Sequence, residues 1–172
     1  MYRKTKKLDS SFYNRKDVVL VARNLLGKIL VTDFEGVRSS GRIVETEAYA
    51  GVNDRASHAF GGRRTARSEH LYGAPGTIYV YISYGMHHLF NVITNKKDIP
   101  HGVLIRALEP MEGIDHMLER TGKTLADYTL QKVQAICHVP WGFLNCIPEE
   151  IYFPKKFILK TMECGTRKIR SQ

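Results

Sequence analysis

Gly41-Arg-Ile-Val-Glu-Thr-Glu-Ala-Tyr49 reads as a long β-strand, entered from a turn at Glu35-Gly36. Side chains alternate along a strand with a period of two, which puts Ile43, Glu45, Glu47 and Tyr49 on one face. Two carboxylates between an isoleucine and a tyrosine are out of place on a core-facing surface. Either this face is exposed and the glutamates are simply solvated, or a carboxylate is partly buried there and suited to general-base work.

Upstream of that strand, Lys28-Ile-Leu-Val-Thr-Asp33 is a second strand. Before it, Asp17 is placed to cap a helix running through Leu26, with Val18, Val21 and Leu25 on one face and Gly27 ending it. Residues 1–16 are polar and read as a loose basic arm. Downstream, residues 50–75 are rich in Gly and Arg and show no steady period, as expected of a functional loop holding short helical turns. Three more strands follow at 76–82, 88–94 and 102–108; Pro110 is expected to stop the last, and a helix to run from Glu112 to Arg120. No repeat or linker interrupts this pattern. The fold class is therefore α+β: a single domain over residues 17–130, with a curved, mainly antiparallel β-sheet flanked by helices and a basic loop. Residues 131–172 differ in character, holding the only tryptophan, Trp141, and all three cysteines, Cys137, Cys146 and Cys164, in no zinc-binding spacing. Free thiols suit a reducing compartment.

The 172 residues are 43% hydrophobic and 25% charged, a composition that excludes disordered, collagen-like and disulfide-scaffold classes. No apolar run is long enough to span a bilayer, and no apolar segment follows the basic N-terminus, so a cytoplasmic, non-membrane protein is expected. The net charge of +9 makes a polyanion partner a candidate. Its distribution says more than its total. Between Arg55 and Arg67 lie four arginines, Arg55, Arg63, Arg64 and Arg67, together with His58 and no acid.

Arg106 breaks its strand as the glutamates break theirs, since Leu104, Arg106 and Leu108 share a face by alternation. A buried arginine needs an anionic partner. Glu47 and Glu109 are both available, and an edge position is a third reading. Tyr72, Tyr79, Tyr81 and Tyr84 form a cluster, with Tyr79 and Tyr81 pointing the same way. Strand aromatics are commonly core, but beside a cationic loop they also suit stacking on nucleobases. His87 and His88 point to opposite faces and make no metal pair. No P-loop, dinucleotide fingerprint or Ser-His-Asp signature is present.

Arg42-Ile-Val-Glu-Thr-Glu-Ala-Tyr49, then His58, Gly61-Gly62-Arg63 and Thr65, resemble the alkyladenine (3-methyladenine) DNA glycosylases. The resemblance continues through Pro75-Gly-Thr-Ile-Tyr-Val-Tyr81, Tyr84-Gly85-Met86, Asn91 and Val103-Leu-Ile-Arg-Ala-Leu-Glu-Pro110, in order, over roughly residues 18 to 120. It implies Glu47 as the base that activates water against C1′ of a flipped nucleotide, and Arg106 as holding that water and the carboxylate. It implies Tyr49, His58 and Tyr81 as the walls around the flipped base, and Asn91 as a pocket floor that disfavours guanine. Tyr84 is the implied wedge in the duplex, and Arg63, Thr65 and Met86 match DNA-contacting positions. The implied partner is double-stranded DNA containing damaged purines, bound by a monomer that needs no metal or organic cofactor and associates with the nucleoid if bacterial. No lysine nucleophile lies within the matched motifs, so a monofunctional hydrolase is expected.

After Leu130 the sequence departs from the family, which continues with a Thr-Asn-Gly-Pro-Gly-Lys-Leu segment. Read one nucleotide back, codons allowed by the residues from Leu130 permit Thr-Glu-Gly-Pro-Gly-Asn-Leu and, in the same frame, Ser-Lys-Lys-Ile-Tyr-Ile-Glu-Asp-Asp-Gly. Either a one-nucleotide frameshift near Leu130 has replaced the C-terminal part, leaving it incomplete relative to the family, or the tail is divergent but genuine. The alternative function is a catalytically impaired DNA-binding remnant. An RNA-binding module accounts for the tyrosines and arginines, but not for Glu47 and Arg106 on core-like faces.

Overall fold

A computed structural model describes residues 6–34, 36–83, 87–121 and 157–161. Residues 131–156 and 162–172, Tyr84 and Met86 lie outside the described residues, and with them the reading of a frameshifted tail.

The strands are β1 (Lys6–Lys7), β2 (Ile29–Phe34), β3 (Val37–Tyr49), β4 (Ile78–Ser83), β5 (His87–Thr94), β6 (His101–Glu112) and β7 (Phe157–Thr161). They make one sheet in the order β1-β7-β2-β3-β6-β5-β4, with every pair antiparallel. The helices are α1 (Ser10–Tyr13), α2 (Val18–Leu25) and α3 (Ile114–Thr121). This is the α+β architecture expected from the sequence.

Helix α2 starts where Asp17 accepts a hydrogen bond from the Leu20 amide at 2.9 Å, and buries Val18, Val21, Ala22 and Leu25. Those side chains join Leu30, Ile43, Ile78, Val80, Phe90, Val92, Val103, Ile105, Leu108 and Met117 in the main core, on one face of the sheet. The opposite face carries a smaller cluster of Ala59, Leu71, Tyr72, Tyr79 and Ile93, covered by the 50–75 segment with its three 3-10 turns. The sheet thus has a helix face and a loop face.

Three expectations need correction. Residues 6–16 are no loose arm: β1 pairs with β7, Asp9 caps α1, and Leu8 and Tyr13 are buried in the main core. The polar composition concealed these two apolar anchors. Pro110 does not stop β6, which continues to Glu112. Pro110 sits opposite Gly41 where the pairing with β3 slips between Ser40 and Gly41, and an irregular position tolerates a residue with no N–H. Helix α3 therefore begins at Ile114 rather than Glu112.

The third correction concerns alternation itself. Between Ile43 and Thr46 the β3–β6 register shifts twice: Ile43 faces Leu108, Glu45 faces Ala107 and Thr46 faces Ile105. One extra residue is accommodated in each strand, Val44 on β3 and Arg106 on β6. Both strands change phase there. Ile43 and Leu108 lie in the main core before the irregularity, whereas afterwards Ile105, Val103 and Ala48 do. Glu47 therefore lies on the loop face, opposite Ile43, and Leu108 no longer shares a face with Leu104 and Arg106.

Candidate active site

The phase change sets the candidate chemistry on the loop face. One rung of the sheet runs Glu47, Leu104, Asn91, Tyr79 across four strands, each residue being the register partner of the next. The neighbouring rung runs Tyr49, Gly102, Ile93. Gly102 leaves an opening where any other residue would project a side chain. An open cleft of about 330 Å³ lies here, lined by Tyr49, Ala56, Ser57, His58, Leu71, Tyr79, Tyr81, Asn91, Pro100 and Gly102. Its walls are mostly apolar and aromatic with few polar groups, as those of ligand sites usually are.

Glu47 stands beside this cleft, and Tyr49 joins the two. The Tyr49 hydroxyl donates to Glu47 Oε2 at 2.7 Å while its ring lines the cleft. Burial, then the carboxylate, push the Tyr49 phenol well above the usual tyrosine range, so it remains a donor at any physiological pH. Arg106 Nε lies 3.1 Å from Glu47 Oε1, with side chains 28% and 38% exposed respectively. The Nε–H is not aimed along that contact, so the pair is coulombic rather than a directed hydrogen bond. Of the partners open to Arg106, Glu47 is the one it meets; Glu109 pairs with Arg42 at 3.4 Å.

Tyr79 and Tyr81 are stacked with centroids 5.3 Å apart, on the same side of β4 as expected. His58 sits edge-on to Tyr81 at 4.5 Å, with Nδ1 3.4 Å from the Tyr79 hydroxyl. Tyr49, His58 and Tyr81 thus line one cleft, although His58 and Tyr81 here touch each other. Desolvation, reinforced by Arg67, holds His58 below the ordinary histidine range, so the ring is neutral near pH 7. Burial foremost, and then Glu47, raise the Tyr81 phenol. Asn91 is buried, its amide donating to the carbonyls of Leu89 at 3.1 Å and Tyr79 at 3.3 Å, and it also lines the cleft.

The arginine loop divides. Arg63 is exposed, and its carbonyl accepts from the Tyr72 hydroxyl at 2.9 Å. Thr65 is exposed, its amide donating to Ser68 Oγ at 2.9 Å in a tight turn. Arg67 donates to the Ile82 carbonyl at 3.0 Å. Arg64 is held by Glu69 and Asp98, so the loop is less cationic than its own residues suggest. Sequence reasoning missed Gly102, Pro100, Ala56, Ser57 and Leu71 as cleft residues; none carries a chemical signal in the sequence. Among the described residues, no three His, Cys, Asp or Glu gather as metal ligands, and no helix is long and apolar enough to cross a membrane.

A family model for methylpurine-DNA glycosylases matches residues 11–138. Among curated proteins, one from Clostridium perfringens (strain 13 / Type A), named "Putative 3-methyladenine DNA glycosylase", is 59% identical over 111 residues, covering 64% of this chain and 54% of that protein. A protein of the same name from Clostridium acetobutylicum is 55% identical over 119 residues, covering 69% of this chain and 58% of the relative. One from Bacillus cytotoxicus, again so named, is 58% identical over 108 residues, covering 62% and 53%. The chain spans about half the length of the curated relatives it matches.

Proposed function

Since the chain belongs to the methylpurine-DNA glycosylase family, we propose that it is a monofunctional DNA glycosylase of base excision repair, acting as a cytoplasmic monomer on alkylated purines in duplex DNA. Purines of the 3-methyladenine type, and hypoxanthine or ethenoadenine, form the substrate class. The observation that carries this reading is the Tyr49–Glu47–Arg106 group at the edge of an aromatic cleft.

A base inside the stack is out of reach, so the nucleotide must be extruded, at a cost of a few kcal/mol that is least for a damaged, poorly paired base. Tyr49, His58 and Tyr81 offset that cost by enclosing the base, and Asn91 at the floor disfavours guanine. A purine alkylated at N3 or N7 is cationic, which adds attraction to the tyrosine faces and makes it a good leaving group. Neutral His58 spares that cation a like charge. Glu47 takes a proton from water as the water oxygen bonds to C1′. The N-glycosidic bond breaks with its electron pair leaving on the base. The same carboxylate stabilises the oxocarbenium-like charge on the sugar. Tyr49 and Arg106 hold the carboxylate, while Arg63, Thr65, Met86 and Tyr84 engage the DNA.

The test is single-turnover release of base from a duplex containing hypoxanthine or ethenoadenine, read as alkali-dependent strand scission. Wild type is expected to generate abasic sites, and Glu47→Gln to lose about 10²–10⁴-fold in rate while still binding. Scission without alkali would contradict a monofunctional mechanism. A second reading, binding without excision, rests on the departure of the sequence from the family after Leu130. Under it, folded wild type binds the duplex and releases no base, and the gene carries a Gly-Pro-Gly segment in the shifted frame beyond Leu130.

A further inference from the structure

Arg64 is built unlike its three neighbours in the loop. Its Nε and Nη2 donate to Glu69 Oε2 and Oε1 at 2.8 and 2.6 Å, and Nη1 donates to Asp98 Oδ1 at 2.9 Å. Its guanidinium carbon lies 4.4 Å from the centre of the Tyr72 ring. Tyr72 in turn holds the loop twice, since its hydroxyl donates to the Arg63 carbonyl at 2.9 Å and its own carbonyl accepts from the Asp98 amide at 2.9 Å. One planar cation thus ties together the arginine loop, the 3-10 turn at Glu69–Tyr72 and the turn between β5 and β6. All three ionic side chains are roughly half exposed, at 42%, 53% and 56%. Ion pairs this exposed contribute little to global stability. What a bidentate fork stacked on an aromatic ring does supply is fixed geometry.

We propose that Arg64 is a positioning residue, a clamp that presents Arg63 and Thr65 to the DNA backbone, rather than itself a ligand for phosphate. The proposal rests on the glycosylase reading of the site. Its charge balance gives it a sign that separates it from phosphate binding. In a DNA-binding surface, removal of a carboxylate ordinarily tightens binding, because it removes a repulsion and frees a cation. Here the same removal opens the clamp. Apparent affinity then falls in proportion to the fraction of loop still in the binding form.

The experiment measures equilibrium binding of the full chain to a labelled duplex containing ethenoadenine, at about 50 and 200 mM salt. Wild type is compared with Glu69→Gln, Asp98→Asn and Arg64→Lys, together with amide hydrogen exchange over residues 63–68 and thermal melts. Glu69→Gln and Asp98→Asn are expected to bind at least about fivefold more weakly, as for a loop competent about one-fifth of the time. Their melting temperatures and salt slopes should be unchanged, and the 63–68 amides should exchange faster. Arg64→Lys keeps the charge but loses the fork, and should behave in the same way. Binding by Glu69→Gln as tight as wild type or tighter overturns the clamp, as does unchanged exchange over 63–68. A wild type that does not bind the duplex defeats the glycosylase reading instead, and the exchange data then decide the clamp alone.

Discussion

The Tyr49 hydroxyl on Glu47 Oε2 is the contact with most leverage at the scale of single residues. It comes from a side chain that also walls the cleft, so Tyr49→Phe separates its two tasks. A hydrogen bond to a charged group contributes about 1.5–3 kcal/mol, and about 1.4 kcal/mol is a factor of ten in rate. Tyr49→Phe is therefore expected to slow single-turnover base release about tenfold or more, with duplex binding within about twofold because the ring remains. Equal loss of both would show that the hydroxyl acts in binding the duplex rather than on Glu47 during base release. Gly102 permits a complementary test. A Cβ there would meet its nearest neighbours, the Val92 carbonyl oxygen and Ile93 Cδ1, at 3.8 and 3.9 Å, which is ordinary contact. Its conformation is that of a regular strand, so Gly102→Val should fold, with a melting temperature no lower than wild type. It should nevertheless lose base release, because its branches fill the space between Tyr49 and Ile93.

Elements show where sequence reasoning held and where it had to fail. Helix α2 was legible because a capping aspartate, an apolar stripe and a terminal glycine agree, and β2 to β6 were legible from their apolar runs, whereas β1 and β7 were not expected. Residues of the candidate site were legible where chemistry marks them: Glu47 and Arg106, beside the cleft, as charges out of place, and Tyr79 and Tyr81, lining it, as same-side aromatics. Strict alternation, however, assigned Glu47 to the face of Ile43, and the paired extra residues Val44 and Arg106 reverse that. Nothing local announces a bulge whose cause lies on another strand about 60 residues away, and alternation cannot anticipate a change of its own phase. The correction has energetic content. Ile43 is 1% exposed, whereas Glu45 is exposed. Ile43→Ala should cost about 2–5 kcal/mol in urea melts, and Glu45→Ala no more than about 0.5 kcal/mol. Comparable losses would restore the simple two-residue period.

On the scale of the whole molecule, the main core lies between sheet and helices while the cleft lies on the far face, so titration links them through stability. His58, His88 and His101 are all held below the ordinary value of 6.5, with desolvation the first cause in each. They come from the arginine loop, β5 and the start of β6, so the effect is not confined to one element. Since the folded protein resists protonating them, the unfolded chain binds more protons once the pH drops below about 6.5. Stability should then be level above about pH 7 and decline between pH 6.5 and the lower folded values. Asp9 and Glu69 are exposed, so although hydrogen bonds from Ser11 and Arg64 hold their carboxyls below 3.8 and 4.5, they add no appreciable second decline in acid. Urea midpoints at about pH 7.5 and 5.5 should therefore differ, with the lower midpoint at 5.5. His101→Gln should narrow the gap without closing it, since His58 and His88 remain. Equal midpoints would mean that these histidines are as well hydrated folded as unfolded, and the neutral His58 assigned to the cleft would lose its physical basis.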